Sequence, residues 1–473
     1  MKSENNQKLN NIKHVPFLVA FLDSRGKKKY RLVNTSLVAF LNNRGYALYN
    51  GQVIRINENI AVIVEPKEVF QAITTYIKKY GNKSQYEAFS RQGEISLMKN
   101  KAVLLMLNRC TYKKLSSTKS KAYILFKNGV LKLRKEKKPK LISYCKINGF
   151  VWKENIIQRD YEKVFFKKAV FYKFTKKVSD NKQQHFTIVS AIGYLLHSYK
   201  NPRLPICVIF NDMNLRDEGY SQGGTGKGLI IDAISRFKNT VIINGKATDF
   251  RNDKFVFGII THKTEIFVID DPRKNFALED IFSVLTSPIT PVKRFKQLPP
   301  IPYCESPKFA ATTNFTLKGS TASSKRRRYD VFLKNHYSDK FTPFDDFGHI
   351  FFDDWTKKEW QLFDNFMIYC LQKYLNNGFA KKDDRLLSLK MLKNEAGIDF
   401  IELMNSKYSE LNLRYYKADL RDDLIQINNS RYGFLINHKS MLKRWIELYA
   451  ELIKTHVKNG RESKGTYFEF QLD

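Results

Sequence analysis

The chain has 473 residues, of which 43% are hydrophobic and 14% aromatic, so it folds and has room for roughly two to four domains. Its 82 Lys and Arg against 46 Asp and Glu give a formal net charge of +36, which favours nucleic acid as partner over a generic basic surface or an anionic membrane. Five scattered cysteines without a C-x-x-C pair exclude a zinc ribbon, and the lack of a signal-peptide core or of an apolar run of about 18 residues predicts a cytoplasmic protein without a membrane partner.

Residues 1–95 predict a small α+β module. Residues 17–22 have the pattern of a buried strand, and residues 52–56 and 60–64 predict two further short strands. An amphipathic helix is expected over residues 66–80, because Pro66 is suited to the first position of a helix and apolar side chains follow at helical spacing. No chemistry is indicated in this module.

Residues 96–180 predict a basic α+β lead-in segment. Asn128-Gly129 is a hairpin turn signal between the apolar stretches 123–126 and 130–133. The basic block 134–140 that follows has two interpretations, a solvated hairpin tip or a contact to phosphate groups, and the sequence leaves both open.

Residues 181–345 predict an α/β domain, and residues 346–473 predict a C-terminal domain that is either mainly helical or of winged-helix type. In the first of these, near-continuous apolar strands alternate with helices, a pattern typical of a parallel sheet covered on both faces. In the second, Thr356 and Glu359 form a capping box that opens a long amphipathic helix. The strands predicted for the parallel sheet are residues 204–210, 241–243, 266–269 and 309–313.

A glycine-rich stretch, residues 221–228, lies between the first of these strands and an amphipathic helix. Strand, glycine loop and helix are the layout of a phosphate-binding loop, in which backbone N–H groups turn toward the anion and a lysine reaches the β- and γ-phosphates. The match to G-x-x-x-x-G-K-[ST] is incomplete, because Ser221 replaces the first glycine and Gly228 replaces the Mg²⁺-binding hydroxyl. The residues predicted to bind nucleotide are Gly223, Gly224, Thr225, Gly226, Lys227 and Gly228.

Two carboxylates, Asp270 and Asp271, end the third predicted strand about forty residues after Lys227. At the carboxyl edge of a parallel sheet they would lie beside the phosphate loop, where one can hold Mg²⁺ and the other can orient or deprotonate the attacking water. The alternative is a helix N-terminus, where acids before Pro272 are favoured by the helix dipole.

Three weaker signals complete the set. Asn314 follows the fourth strand and could contact the γ-phosphate or the water, although Asn at a strand end is commonly a turn residue. The run 325–328 could supply an arginine to a neighbouring subunit, or be a basic surface. The loop 293–296, with Lys293, Phe295 and Lys296, could grip a single strand or be an ordinary solvated loop.

In order and spacing these motifs resemble those of the superfamily 3 helicases, and most of all the phage and plasmid helicase-primase proteins of the poxvirus-type branch. The resemblance extends over roughly residues 120–380, but no primase signature is visible upstream. Flanking stretches also resemble that branch: residues 126–130, 149–153, 159–160, 244–246, 306–308 and 347–355.

The resemblance implies a P-loop NTPase (AAA+-like) core in a homo-hexameric, ATP-driven helicase that moves 3′ to 5′ on single-stranded DNA. ATP would lie between subunits with Mg²⁺, and a primase or other replisome protein would be the partner in a phage, prophage or plasmid replication system in the bacterial cytoplasm. The implied roles are phosphate binding for Lys227, Mg²⁺ binding for Asp270, water activation for Asp271, a polar sensor for Asn314, the arginine acting in trans for Arg327 or Arg328, and DNA contact for Lys293 or Lys296.

Two other functions stay open at this point. One is a different nucleic-acid-dependent ATPase motor, such as an initiator, a transposition regulator or a packaging engine. The other is a DNA-binding scaffold that does not hydrolyse ATP, which the residues Ser221 and Gly228 favour because they depart from the phosphate-loop pattern.

Overall fold

The computed structural model describes residues 15–472, except residues 214–223, 295, 298, 315, 318–320, 339, 382 and 383. The chain divides into two compact units. The first comprises the described residues of Met1–Ser117 together with Tyr123–Lys132 and Pro139–Tyr161, and the second comprises Thr118–Ala122, Leu133–Lys138 and the described residues of Glu162–Asp473. In the described part of the chain, no helix is both long and apolar enough to cross a bilayer.

The first unit is a mixture of small sheets and helices around one apolar cluster. Helix α2 shows how the sequence builds it, because Glu65 and Glu68 cap its first turn and Val69, Ile73 and Ile77 place a buried stripe against Phe17, Leu37 and Phe89. The strands are β1 (Leu18–Leu22), β2 (Lys28–Leu32), β3 (Tyr46–Tyr49), β4 (Gln52–Asn57), β5 (Ile60–Ile63), β6 (Lys121–Phe126), β7 (Gly129–Arg134), β8 (Lys137–Ile142) and β9 (Val151–Trp152), and the helices are α1 (Asn34–Asn42), α2 (Pro66–Tyr80), α3 (Lys83–Gly93) and α4 (Ala102–Leu105).

Three separate sheets are formed by these strands. β1 and β2 are an antiparallel pair, β3, β4, β5 and β9 form a four-stranded sheet in that order, and β6, β7 and β8 form a three-stranded sheet in that order.

A five-stranded parallel sheet organises the second unit, which is a mixed α/β fold. Its strands are β10 (Cys207–Asp212), β11 (Thr240–Asn244), β12 (Ile266–Asp270), β15 (Lys308–Thr313) and β16 (Arg328–Leu333), in the order β11-β12-β15-β10-β16. Between these strands lie a short hairpin, β13 (Val292–Lys293) with β14 (Lys296–Gln297), and three helices, α7 (Lys227–Ser235), α8 (Phe282–Thr286) and α9 (Ala322–Arg327). Helix α10 (Pro343–Phe347) follows β16. Two helices precede the sheet, α5 (Val170–Lys177) and α6 (Lys182–Leu196).

Parallel strands need crossover connections, and the described parts of these connections contain the helices α7, α8 and α9. The central residues of β10, β12, β15 and β16 are buried on both faces, as their near-continuous apolar runs require, whereas Ile242 in the middle of the edge strand β11 is 47% exposed. The register pairs Asn211 with Thr313 and Asp270 with Thr312, so the carboxyl ends of β10, β12 and β15 meet at one edge. This edge is where ligands bind in open α/β sheets.

The sequence pattern predicts four of the five strands and misses β16. Arg328, the last residue of the basic run, is the first residue of that strand and is 2% exposed. The strand is buried because Arg328 and Asp330 lie two residues apart, on one side of it, and neutralise each other. The basic run 325–328, which predicts an exposed segment, therefore ends in a residue of the buried core.

The rest of the unit is helical with a terminal hairpin. It comprises α11 (Lys357–Asn377), α12 (Asp384–Glu395), α13 (Ile398–Lys407), β17 (Tyr415–Tyr416), α14 (Lys417–Ile427), α15 (Asn429–Tyr432), α16 (Lys439–Ile453), β18 (His456–Glu462) and β19 (Gly465–Gln471), with the strands in the order β17-β19-β18. Phe400, Trp445 and Phe468 lie in its core, and Phe332 of β16 belongs to the same cluster. The C-terminal helices thus pack directly against the last strand of the parallel sheet.

Candidate active site

The phosphate-loop prediction falls at the junction of β10 and α7. Ser221 and Gly223 lie outside the described residues, whereas Gly224 to Gly228 lie within them. Gly226 is the N-cap of α7 with φ of 92°, and a Cβ at this position would lie 2.4 Å from the Phe174 ring. Only glycine satisfies both conditions. The backbone therefore turns at Gly226 and starts a nine-residue helix at Lys227, whose first N–H groups have no acceptor within the helix.

Lys227 is the centre of a hydrogen-bonded cluster at the carboxyl edge of the sheet. Its Nζ lies 2.5 Å from Asp212 Oδ1, 2.6 Å from Asn314 Oδ1 and 3.2 Å from Thr225 Oγ1. The Lys227 and Asp212 side chains are 11% and 9% exposed. The ammonium group is thus hydrogen-bonded to residues at the ends of two neighbouring strands, β10 and β15. A phosphate group that binds Lys227 would have to replace the Asp212 carboxylate.

Asp212 is fixed from two sides. Its Oδ1 also accepts a hydrogen bond of 2.5 Å from the buried Thr225 hydroxyl, and its backbone carbonyl accepts one from Lys390 Nζ in α12. The Lys390 ammonium lies 5.1 Å from the centroid of the Phe332 ring, and burial lowers its pKa to about 8. A lysine of the C-terminal helices therefore packs directly behind the residue that holds Lys227.

The acid pair lies two strands away along the same edge. Asp270 accepts a hydrogen bond from the Thr312 hydroxyl of β15, in keeping with the register that pairs these two residues. Asp271 follows the strand with φ of 48°, and its N–H donates to the Thr312 carbonyl at 3.1 Å. A left-handed aspartate outside a glycine turn is uncommon, and such residues occur where a side chain must be aimed at a particular point.

The two oxygens of Asp271 differ in their surroundings. Oδ2 lies 2.5 Å from Lys246 Nζ, which comes from the loop after β11, whereas Oδ1 is buried and has no hydrogen-bond partner among the described residues. The loop itself is fixed, because the Gly245 N–H donates to the Asp270 carbonyl at 2.6 Å. Asp271 thus keeps one oxygen that can accept a proton or orient a water molecule.

Asp232 of α7 is a further carboxylate, beside the three at the strand ends. It lies four residues after Gly228 and therefore on the same face of α7. Desolvation raises the pKa of the Asp232 carboxyl, and the charges of Asp270 and Asp353 add to the shift against the opposing effect of Arg236. The electrostatic coupling to Asp270 means that the two carboxylates share one region of negative potential.

The donor set fits Mg²⁺ held together with a nucleotide. Carboxylate and hydroxyl oxygens, here from Asp270, Asp271 and Thr312, are the ligands that Mg²⁺ prefers. No group of three or more His, Cys, Asp and Glu side chains in the described ranges is arranged to hold a metal ion by itself. Such a set is expected where the ion rests on one or two carboxylates, water and substrate phosphates. A Cβ at Gly228 would have open space, with no atom within 4 Å.

The two candidate arginines have different surroundings. Arg328 makes a buried bidentate pair with Asp330, at 2.7 Å from Nε to Oδ2 and 2.7 Å from Nη2 to Oδ1, and its side chain has no exposed surface. Arg327 ends α9, where its guanidinium lies 4.5 Å from the centroid of the Phe282 ring and Nη1 donates to Ser323 Oγ at 2.5 Å. Its buried Nε has no hydrogen-bond partner among the described residues. Arg327 therefore has one N–H group without a hydrogen-bond partner among the described residues, whereas Arg328 forms an ion pair with Asp330 inside the sheet.

The loop predicted to contact DNA is a short hairpin. β13 and β14 pair Lys293 with Lys296, and Phe295 lies outside the described residues. Lys293 and Arg294 are exposed. The base of the hairpin is fixed, because a Cβ at Gly258 would lie 2.2 Å from the Val292 carbonyl oxygen. The exposed cationic side chains of Lys293 and Arg294 therefore extend from a hairpin whose base packs closely against Gly258.

Four residues of this site have no role assigned to them from the sequence: Asp212, Asp232, Lys246 and Thr312. For Asp212 the available signal is a carboxylate at the end of the strand that precedes the glycine loop. For Lys246 it is a basic residue two positions after the end of an edge strand. Neither signal is specific, because the sequence pattern does not reveal the strand register that brings Asp212 to Lys227 and Lys246 to Asp271.

The fold and the site together define a mixed α/β protein with a lysine, an asparagine and three carboxylates clustered at the carboxyl edge of a parallel sheet. No protein-family model matches the sequence, and no curated protein matches it. Among solved structures, the chain is similar to the apo A form of the NrS-1 C-terminal region, with 10% sequence identity, a TM-score of 0.40, and coverage of 92% of this chain and 99% of that chain.

Proposed function

We propose that this chain is an ATP-dependent DNA helicase of a phage, prophage or plasmid replication system, which couples ATP hydrolysis at subunit interfaces to 3′–5′ movement on single-stranded DNA. The observation that carries the proposal is the meeting of Lys227 with the ends of β10 and β15, at the edge that also holds Asp270 and Asp271. The resemblance of the motif order to superfamily 3 helicases supports a helicase over other ATPases.

Each residue at this edge has a chemical role in the proposal. Lys227, released from Asp212, neutralises the β- and γ-phosphates, and the N-terminus of α7 adds the positive end of a helix dipole. Asp271 orients the attacking water and accepts its proton at Oδ1, while Asn314 exchanges Lys227 for the γ-phosphate or the water. Asp270 and Thr312 would hold Mg²⁺, which supplies charge neutralisation at the phosphates when it is bound.

The arginine that acts in trans is Arg327 in this proposal. Its guanidinium has an unsatisfied Nε and lies at the end of a short helix, whereas Arg328 is consumed by Asp330. An arginine that completes a neighbouring site makes hydrolysis depend on assembly. The resemblance to superfamily 3 helicases implies that this assembly is a homo-hexamer. Lys293 and Lys296 of the hairpin contact the DNA backbone, and the primase or other replisome partner is a separate chain.

The test compares ATP hydrolysis with and without single-stranded DNA for the wild type and Lys227→Ala. We expect the variant to lose DNA-stimulated turnover, because Lys227 is the lysine at the start of α7, whereas Lys390 lies behind Asp212 and donates to its backbone carbonyl. Lys254→Ala is the matched control, since Lys254 is exposed and lies outside this edge. Turnover in Lys227→Ala equal to that of the control would contradict the proposal.

A forked duplex and sizing of the assembly with nucleotide separate the helicase from its two rivals. A different motor, such as an initiator or packaging engine, hydrolyses ATP without separating the strands. A DNA-binding scaffold binds DNA with strong salt dependence and shows no turnover, an outcome that the missing hydroxyl at Gly228 would then explain. Strand separation with a 3′ overhang and none with a 5′ overhang is the result expected here.

A further inference from the structure

The positive charge of the chain is concentrated away from the candidate active site. Residues 1–200 contain 40 Lys and Arg against 12 Asp and Glu, whereas residues 201–473 contain 42 against 34. The first group has a net charge of +28 and the second of +8. The hairpin β13–β14 belongs to the second group, so it does not account for most of the charge. A further polyanion-binding surface is therefore to be sought in the N-terminal part of the chain.

The hairpin β1–β2 has two faces of different character. Its register pairs Leu18 with Leu32 and Ala20 with Tyr30, and Leu18, Tyr30 and Leu32 pack into or against the core of the first unit. The residues between them point the other way, because side chains alternate along a strand. The outer face consists of Val19 opposite Arg31 and of Phe21 opposite Lys29.

This outer face has apolar side chains where a polar one is expected. Val19 is 48% exposed and Phe21 is 46% exposed. A half-buried antiparallel pair ordinarily places polar residues toward water, and an exposed apolar strand with an open edge is an aggregation risk. Leu18 is the one buried residue of β1, because Ala20 and Leu22, on the same side of the strand, are exposed, Leu22 at 70%. Packing within the first unit therefore does not account for Phe21.

The hairpin has five cations and one carboxylate, and the carboxylate is occupied. Asp23 accepts hydrogen bonds from the backbone N–H groups of Arg25 and Lys27 and pairs with Lys29 at 2.9 Å, and these contacts lower its pKa to about 2. Arg25, Lys27, Lys28 and Arg31 are exposed and form no ion pair with any residue that the structure describes. The turn is thus preformed, and most of its positive charge is available to a ligand.

We propose that the outer face of the β1–β2 hairpin binds single-stranded nucleic acid. An unpaired base stacks on Phe21 beside Val19, and Arg31, directly across the strand pair from Val19, holds the phosphates together with the turn cations Arg25 and Lys27. An exposed aromatic side chain beside cations suits this ligand, because every unpaired base has a π-face and every nucleotide has a charge. The bases of a duplex are stacked inside it and are not available to the ring.

The experiment measures binding of the full chain, without nucleotide, to a labelled oligothymidylate of about 30 residues by fluorescence anisotropy. Phe21→Ala should weaken binding by about tenfold, the loss typical of one stacked base. Arg31→Gln should lower the slope of log K against log salt by about 0.7, the value for one phosphate contact on a single strand. Binding of a duplex of equal length should change much less in Phe21→Ala than binding of the single strand.

Matched controls come from the C-terminal hairpin and its neighbours. Phe434 is 39% exposed and Arg461 is exposed on β18, so Phe434→Ala and Arg461→Gln remove the same groups elsewhere and should bind the oligonucleotide as the wild type does. Phe21→Leu keeps the apolar contact and the fold but removes the ring. It should show the loss seen with Phe21→Ala, whereas Phe21→Trp should restore binding.

Three results would overturn the proposal. The first is wild-type affinity for the oligonucleotide in both Phe21→Ala and Phe21→Leu. The second is an equal loss for duplex and single strand, which would mean contact through charge alone. The third is a Phe21→Ala variant that binds the oligonucleotide as the wild type does but no longer co-sediments with vesicles of phosphatidylserine and phosphatidylcholine. That result would assign the face to a membrane. None of these measurements requires ATP hydrolysis, so their failure leaves the proposed ATPase site unaffected.

Discussion

Asp212 competes with nucleotide for Lys227, and this leads to a prediction that runs against the usual effect of mutating an active-site carboxylate. In the structure the Lys227 ammonium is satisfied by the Asp212 carboxylate at 2.5 Å, with Asn314 as the second acceptor. Phosphate binding requires the ammonium to exchange this carboxylate for a phosphate oxygen. The substitution Asp212→Asn lowers the cost of that exchange while it keeps an oxygen to accept from Lys227 and Thr225.

The size of the effect follows from the difference between a charged and a neutral acceptor. A hydrogen bond to a charged group is worth about 1.5–3 kcal/mol, and a neutral one about 0.5–1.5 kcal/mol. The pair is close to fully buried, with 11% and 9% exposure, so solvent screening removes little of this difference. A gain of about 1 to 1.5 kcal/mol in nucleotide binding corresponds to roughly five- to tenfold tighter affinity.

The assay is equilibrium binding of a fluorescent ATP analogue, with Mg²⁺ and with chelator. Asp212→Asn should bind several times more tightly than the wild type in both conditions, because the exchange at Lys227 does not involve the metal. Asp253→Asn, an exposed aspartate outside the edge, is the control for loss of one negative charge. Weaker binding by Asp212→Asn would refute the reasoning, since it would mean that Asp212 holds Lys227 in the position that binds phosphate.

Three further predictions concern single positions. Gly228→Ser should tighten binding of the Mg²⁺ nucleotide by about fivefold and leave binding in chelator unchanged, because a Cβ there has open space and the hydroxyl adds a ligand; equal affinities with Mg²⁺ would show that no hydroxyl is needed. Asp330→Asn should lower the free energy of unfolding in urea by about 3–5 kcal/mol, because it leaves the Arg328 charge buried without its partner, whereas the pair Arg328→Met and Asp330→Leu should recover most of the loss. Burial lowers the pKa of Lys200 to about 7, so the folded state loses this proton near pH 7 while the unfolded state keeps it to about pH 10.5; the free energy of unfolding should therefore rise by about 2 kcal/mol from pH 7 to 9, and Lys200→Met should flatten that rise.

The parallel sheet could be predicted because its strands are apolar on both faces. The pattern places strands within a few residues of Cys207–Asp212, Thr240–Asn244, Ile266–Asp270 and Lys308–Thr313, and the parallel α/β core is confirmed. β16 could not be predicted in the same way. Its first residue, Arg328, is the last residue of a basic run. This charge can be buried because Arg328 forms a bidentate ion pair with Asp330 in the folded protein.

The site shows the same division between local and long-range information. Gly226 and Lys227 could be predicted because loop, helix start and lysine are adjacent in sequence. Asp212 is fifteen positions before Lys227 and Asn314 is eighty-seven positions after it, and they meet only through the pairing of β10 with β15. Assignment of Mg²⁺ to Asp270 and of a trans role to Arg327 stay predictions for the assays above.

Lys390 has a consequence for how the C-terminal helices can evolve or be engineered. Its ammonium donates to the backbone carbonyl of the residue whose carboxylate holds Lys227, and it is screened from water by its packing on Phe332. A protein shortened before α12 would lose this donor and would expose Phe332 at the same time. The C-terminal helices therefore cannot be replaced freely, because they supply the Lys390 donor at the end of β10. A helical segment that replaces them has to place a buried cation at the same point.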